Sequence, residues 1–99
     1  MASVLVVRDE ARRELIEARD YYDEQRHGYG ELFAEAVERE FALLLQFEKI
    51  GKPIGGGIRR RTMSDWPYGI FYRVRGEELI IIAVSHHRRR PGYWRSRLR

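Results

Sequence analysis

The chain contains no cysteine. No disulfide, no thiolate nucleophile and no cysteine-ligated zinc or iron–sulfur cluster can therefore be built from it, and a reducing cytoplasm fits that composition. Proline is scarce, with three residues, and two of them, Pro53 and Pro67, fall where the chain must turn. No apolar run approaches the ~20 residues of a membrane span. Val4–Val7 is too short for a signal h-region, so the expectation is a chain neither exported by a standard signal nor associated with a membrane. Acidic residues are the other shortage. Residues 51–99 hold 3 Asp+Glu against 12 Lys+Arg, 11 of them arginine, whereas residues 1–50 hold 12 Asp+Glu against 7 Lys+Arg. The two halves thus carry +9 and −5. Because nearly all acids lie in the helical half, hydrolases built on paired carboxylates are disfavoured.

What remains is one domain's worth of chain. Ninety-nine residues with 43% apolar content and six Tyr, four Phe and two Trp can form a single compact core over residues 1–99, and two independent domains are excluded. Ser3 to Arg8 reads as a strand ended at Asp9, a candidate N-cap. Ala11, Leu15, Ala18 and Tyr22 then recur at helical spacing from Glu10 to about His27, with a charged opposite face that includes Glu10, Arg13, Glu14 and Glu17. Gly28 and Gly30 supply a stop and a turn. Phe33, Ala36, Val37, Phe41 and Leu44 give a second helix from Glu31 to about Phe47, antiparallel to the first and sharing its apolar seam. Tyr21, Tyr22 and Tyr29 are seam candidates.

Glu48 to Gly57 reads as a loop. Its Gly55-Gly56-Gly57 triplet lacks the spacing of a phosphate-binding loop. Ile58–Thr62, Tyr68–Val74 and Glu78–Val84 read as three consecutive antiparallel strands, the last a continuous apolar run suited to a central position. The expected fold class is α+β in the order β-α-α-β-β-β, a helical hairpin packed on a small, mainly antiparallel sheet, followed by a basic C-terminal tail.

Two constellations bear on chemistry. From His86 to Arg99 six arginines occur with no acid among them, and they follow directly on the central strand, where binding groups often sit. Arginine forks suit phosphate and carboxylate, and a histidine could move a proton near neutral pH. Adjacent strand residues point to opposite faces, so His86 and His87 do not make a metal site, and no metal or other cofactor is expected. Trp94 has the character of an anchor as much as of a contact residue. In the second constellation, Arg59, Arg60 and Arg61, strand alternation puts Arg59 and Arg61 on one face and Arg60 on the other. These charges also suit the defence of an exposed edge.

Several fragments in this order resemble one family. They are Glu17-Ala18 with Tyr21-Tyr22, then Ile58-Arg59-Arg60, then Trp66-Pro67-Tyr68 with Ile70, Tyr72 and Arg73, and the ending Ala83-Val84 with His86, Arg89, Pro91, Tyr93, Trp94 and Arg97. Together they resemble the RelE/ParE superfamily of toxins from type II toxin-antitoxin modules, and in particular its ParE-like, or plasmid stabilization, branch. The resemblance implies a toxin held in a hetero-oligomer by a cognate ParD-like antitoxin with an acidic C-terminal segment. That partner would lie on the helix pair and the basic sheet, at Leu15, Tyr22, Phe33, Val37, Arg59, Arg61 and Arg73. For the ParE branch the implied target is DNA gyrase, engaged by the C-terminal segment through Arg88, Arg89, Arg90, Tyr93, Trp94, Arg95 and Arg97, with no catalytic residues. For the RelE branch it is messenger RNA at the ribosome, cut without a metal by an endoribonuclease site at Arg59, His86, His87, Arg88 and Tyr93. In this sequence His87 replaces the arginine that branch places just after the last strand. A third reading is a non-toxic basic module that binds nucleic acid.

Overall fold

A computed structural model describes residues 1–98; Arg99, the last of the C-terminal arginines, lies outside the described residues. The elements are β1 (Val4–Val7), α1 (Asp9–Gln25), α2 (Tyr29–Gln46), β2 (Lys52–Gly55), β3 (Ile58–Thr62), β4 (Tyr68–Arg75), β5 (Glu78–His86) and a 3-10 helix, Tyr93–Leu98. The expected α+β order is present, with one strand added. The Glu48–Gly57 stretch is not all loop, because Lys52–Gly55 pairs antiparallel with β3 as the edge of the sheet. Pro53 is tolerated there because only an edge strand can lack an amide donor.

The sheet runs β1-β5-β4-β3-β2. β1 is parallel to β5, in register Val4 to Glu78 and Val7 to Ile81, and every other pairing is antiparallel. β5, the most apolar strand, is therefore flanked on both edges along Glu78–Ile81, where β1 reaches it, as its composition demands.

The helical hairpin covers one face, and Phe33, Val37, Phe41 and Leu44 of α2 pack with Ala11 and Ala18 of α1 over Ile70, Tyr72, Leu79, Ile81 and Val84. Two details of the hairpin differ from expectation. Arg8, not Asp9, holds the N-cap position of α1 and makes no side-chain cap, leaving Asp9 in the first turn, where its charge favours the helix dipole. Tyr21 is 55% exposed and off the seam, while Tyr22 sits inside it. The helices come close at Gly30, where a Cβ would lie 2.3 Å from the Arg19 carbonyl oxygen.

A β-bulge shapes the far side of the sheet. Phe71 pairs with Ala83 but Tyr72 pairs with Ile81, so Ile82 is an extra residue. Before it, Leu79 and Ile81 face the helices; after it, Val84 does, and Ile80, Ile82 and Ala83 face away. The second face holds a smaller core of Ile58, Ile80, Ile82, Ala83 and Trp94, with Phe71 and Leu98 against it. Trp94 is 2% exposed and its ring meets Phe71 at 4.7 Å. The C-terminal segment is thus a docked part of the fold and not a free tail. No helix among the described residues is long and apolar enough to cross a membrane.

Candidate functional site

The end of β5 divides the two histidines. His86 falls on the helix side, edge-on to Tyr68 at 5.1 Å, and its Nδ1 accepts the Arg88 amide at 3.0 Å. Burial, and then the charges of Arg88 and His87, hold its pKa below the usual histidine value. The His87 amide donates to the Pro67 carbonyl at 2.9 Å, and its exposed side chain lines a cleft on the face away from the helices, which His86 also reaches.

Glu14 of α1 anchors the C-terminal segment. Its carboxylate, 11% exposed, accepts the Val84 amide at 3.0 Å, the Tyr93 hydroxyl, and both terminal nitrogens of Arg97 at 2.9 and 3.1 Å. Arg97 also donates to the Ile82 carbonyl at 3.0 Å. β1 is shorter than β5, so the β5 edge beyond Ile81 would show unpaired backbone groups; Glu14 and Arg97 satisfy two of them. Burial works against the Arg97 charge, but the Glu14 hydrogen bonds and charge outweigh it and hold the guanidinium more firmly protonated than usual. Burial and the Glu14 contact push the Tyr93 hydroxyl pKa up, and the Arg89 guanidinium stacks 3.8 Å from the Tyr93 ring centre.

This geometry sorts the residues expected to cleave RNA. Tyr93 and His86 lie toward α1, whereas His87 lies on the other face. Arg59 is on the helix side of β3, donating to the Lys49 and Gly51 carbonyls at 3.1 and 2.8 Å. Arg88 is exposed beyond the strand end. Arg59, His86, His87, Arg88 and Tyr93 are therefore not gathered around one reacting centre.

The residues expected to face a target divide as well. Arg88, Arg90 and Arg95 are exposed, and none of them meets an acid among the described residues. Arg89 is exposed and 4.0 Å from Glu14. Trp94, Tyr93 and Arg97 are engaged inside the molecule, and their part is to hold the segment in place.

On the face away from the helices lies an open cleft of about 390 Å³. Arg60 of β3 lines it from one part of the chain, and His86, His87, Arg89, Arg90 and Arg95 from the end of β5 and the segment after it, with Gly69 and Phe71 between them; no acid lines it. Arg60 is the cation that the sequence assigned to no partner. Strand alternation already separated it from Arg59 and Arg61, but nothing local showed that its neighbours would be consumed. Arg61 donates to Glu40 of α2 at 2.8 Å.

The groove between the helices is apolar. It measures about 440 Å³, is lined by Leu15, Ile16, Phe33, Val37 and Phe41, and has Arg12, Arg19 and Glu38 among its lining. Of the residues expected to meet an antitoxin, Leu15 is partly exposed there, while Phe33 and Val37 form the groove's buried floor. Tyr22 lies apart, 4.9 Å from Trp66 in an aromatic cluster. Arg59 and Arg61 share the helix side; Arg73 does not, because it follows Phe71 by two residues along β4 and so points away from the helices.

A family description, "ParE toxin of type II toxin-antitoxin system, parDE", matches residues 5–91. The chain belongs to the ParE toxin family. The match runs from β1 through Pro91, and so takes in the helical hairpin and the whole sheet. A solved chain titled "Chromosomal ParDE TA system from P. aeruginosa" has the same fold, with a TM-score of 0.65 and 22% identity over 84% of this chain and 94% of that one. No curated protein matches the sequence. Membership makes this chain the toxin component of a type II toxin-antitoxin system.

Proposed function

We propose that the chain arrests growth by inhibiting DNA gyrase, without catalysing a reaction, and that a cognate antitoxin with an acidic segment holds it inactive in the cytoplasm. The observation that carries this reading is the ParE family match together with a C-terminal segment that displays Arg88, Arg90 and Arg95 outward, unpaired with any acid among the described residues. An outward display of like charge suits an anionic target, because complementary charge steers the encounter and fixes its orientation. The groove at Leu15 and Ile16 offers an antitoxin helix its apolar seat, and an acidic continuation would find the arginines.

The test is induction of the chain alone in a bacterial host, following early incorporation of labelled thymidine and leucine. Thymidine incorporation falls first if gyrase is the target, and Arg88→Glu with Arg90→Glu restores it. An early fall in leucine incorporation with cleaved transcripts would overturn the reading. Deleting residues after Arg90 is the weaker variant, since it also removes Trp94 from the core.

A further inference from the structure

Two sets of arginines in the basic half differ in a way that sequence does not distinguish. Arg59, Arg61 and Arg97 are turned inward, onto backbone carbonyls or the carboxylates of Glu40 and Glu14. Arg60, Arg90 and Arg95 are exposed, make no ion pair among the described residues, and converge on one acid-free cleft. Like charges converge at a cost unless something anionic offsets it. The fold had carboxylates to spare for the inward arginines and placed none here.

We propose that this cleft, on the sheet face away from the helices, binds the sugar–phosphate backbone of a single nucleic-acid strand, with Arg60 on one wall and Arg90 and Arg95 on the other. The walls reach it from different parts of the chain, β3 and the C-terminal segment, so their relative position is fixed by the sheet and by the docking of Trp94. Between them the floor is apolar and low: Gly69 has no side chain and Phe71 shows one partly exposed ring. Cationic walls over an apolar floor match a backbone in which phosphates alternate with sugars and exposed base faces. Arg95 is partly ordered in advance, with its guanidinium 4.7 Å from the Trp94 ring centre, which lowers the rotamer entropy lost on binding. A purely acidic peptide would use the same cations but leave the apolar floor uncovered. The site shares Arg90 and Arg95 with the display offered to gyrase, whereas Arg60 and the apolar floor belong to it alone.

The experiment uses the full chain with fluorescently labelled oligodeoxythymidylate and oligouridylate, titrated by anisotropy over a series of salt concentrations. Three neutralised phosphates give a log–log slope of affinity on salt of about −2 on a single strand. Arg60→Ala weakens binding roughly tenfold and makes the slope shallower by about 0.7. Arg75→Ala, which removes the same charge from the opposite end of β4, leaves both unchanged. Arg60 is exposed, so its replacement preserves the thermal melt, and Arg95→Ala repeats the result from the other wall. Equal affinity for the two oligomers means that the backbone alone is read, and preference for oligouridylate means that the 2′-hydroxyl is read too; either supports the site. Equal weakening by Arg60→Ala and Arg75→Ala would reduce it to diffuse charge and overturn it. So would displacement of the oligonucleotide by oligoglutamate at lower concentration, or absence of binding at low salt. A chain that binds the strand yet leaves thymidine incorporation intact keeps this site and removes the gyrase reading.

Discussion

Glu14 and Arg97, 83 residues apart, meet through both terminal nitrogens of the guanidinium at 2.9 and 3.1 Å. One helix carboxylate thereby fastens the C-terminal turn to the edge of the central strand. Replacing it by Glu14→Gln leaves the Arg97 charge, 14% exposed, without its counter-ion. Breaking a buried pair from one side costs about 3 kcal/mol, which for a domain near this size lowers the melting temperature by ~10 °C or more. Thermal melts followed by circular dichroism check this. Amide exchange in Tyr93–Leu98 should rise before that of β4, and a melt unchanged from the parent would contradict the role given to Glu14.

Trp94 supplies the apolar half of the same attachment. Trp94→Ala empties the second core beside Phe71 and costs roughly 3–5 kcal/mol by the usual behaviour of large buried aromatics. Urea denaturation measures it. A loss under ~1 kcal/mol would show that the C-terminal turn adds little to the fold.

Tyr72 makes a different kind of link. Its hydroxyl accepts the Gly51 amide at 2.9 Å and donates to the Glu48 carbonyl at 2.8 Å, closing the turn that leads into β2. Tyr72→Phe leaves both backbone groups unpaired and should cost about 1–3 kcal/mol. Gly51→Ala should cost at least as much, since the new Cβ would sit 2.7 Å from the Tyr72 ring. Denaturation midpoints of the two variants and their double mutant test the pair, and additive effects would mean the contact is not shared.

Alkaline pH probes the aromatic cluster. Burial, and then the neighbouring Tyr22, push the Tyr68 hydroxyl up to about 12 from an ordinary 10.0. The native state therefore favours neutral Tyr68, and its contribution is complete below pH ~10 and lost as pH rises toward ~12. Stability should fall across that window, and the fall should be shallower in Tyr68→Phe. Denaturant midpoints at pH steps through the window give the comparison, with parallel curves as the contrary result.

Local pattern carried most of the fold. The helix at Phe33–Leu44 and the strands at Ile58–Thr62 and Glu78–Val84 were legible because period and composition agree there. β2 was not, since Pro53 and Gly55 speak against a strand and its pairing partner lies across a glycine turn. At the site, alternation placed Arg59 and Arg61 on one face, but their use depends on Glu40 and on the carbonyls of Lys49 and Gly51, none of them local in pattern. Glu14 read as one charge of a solvated helix face. Its partners Val84, Tyr93 and Arg97 are 70 or more residues away, a distance at which no spacing rule operates. The bulge at Ile82 was hidden for a related reason: an uninterrupted apolar run has no alternation to slip.

The first strand written into this chain is among the last that can find its place. Val4 waits for Glu78 and Val7 for Ile81, so an emerging polypeptide holds β1 unpaired until β5, more than 70 residues later, has been made. Only with Arg97 does the Glu14 carboxylate acquire its full set of donors. Long-range closure of this kind is slow, and the native sheet therefore closes only after β5 and the turn that carries Arg97 have been made.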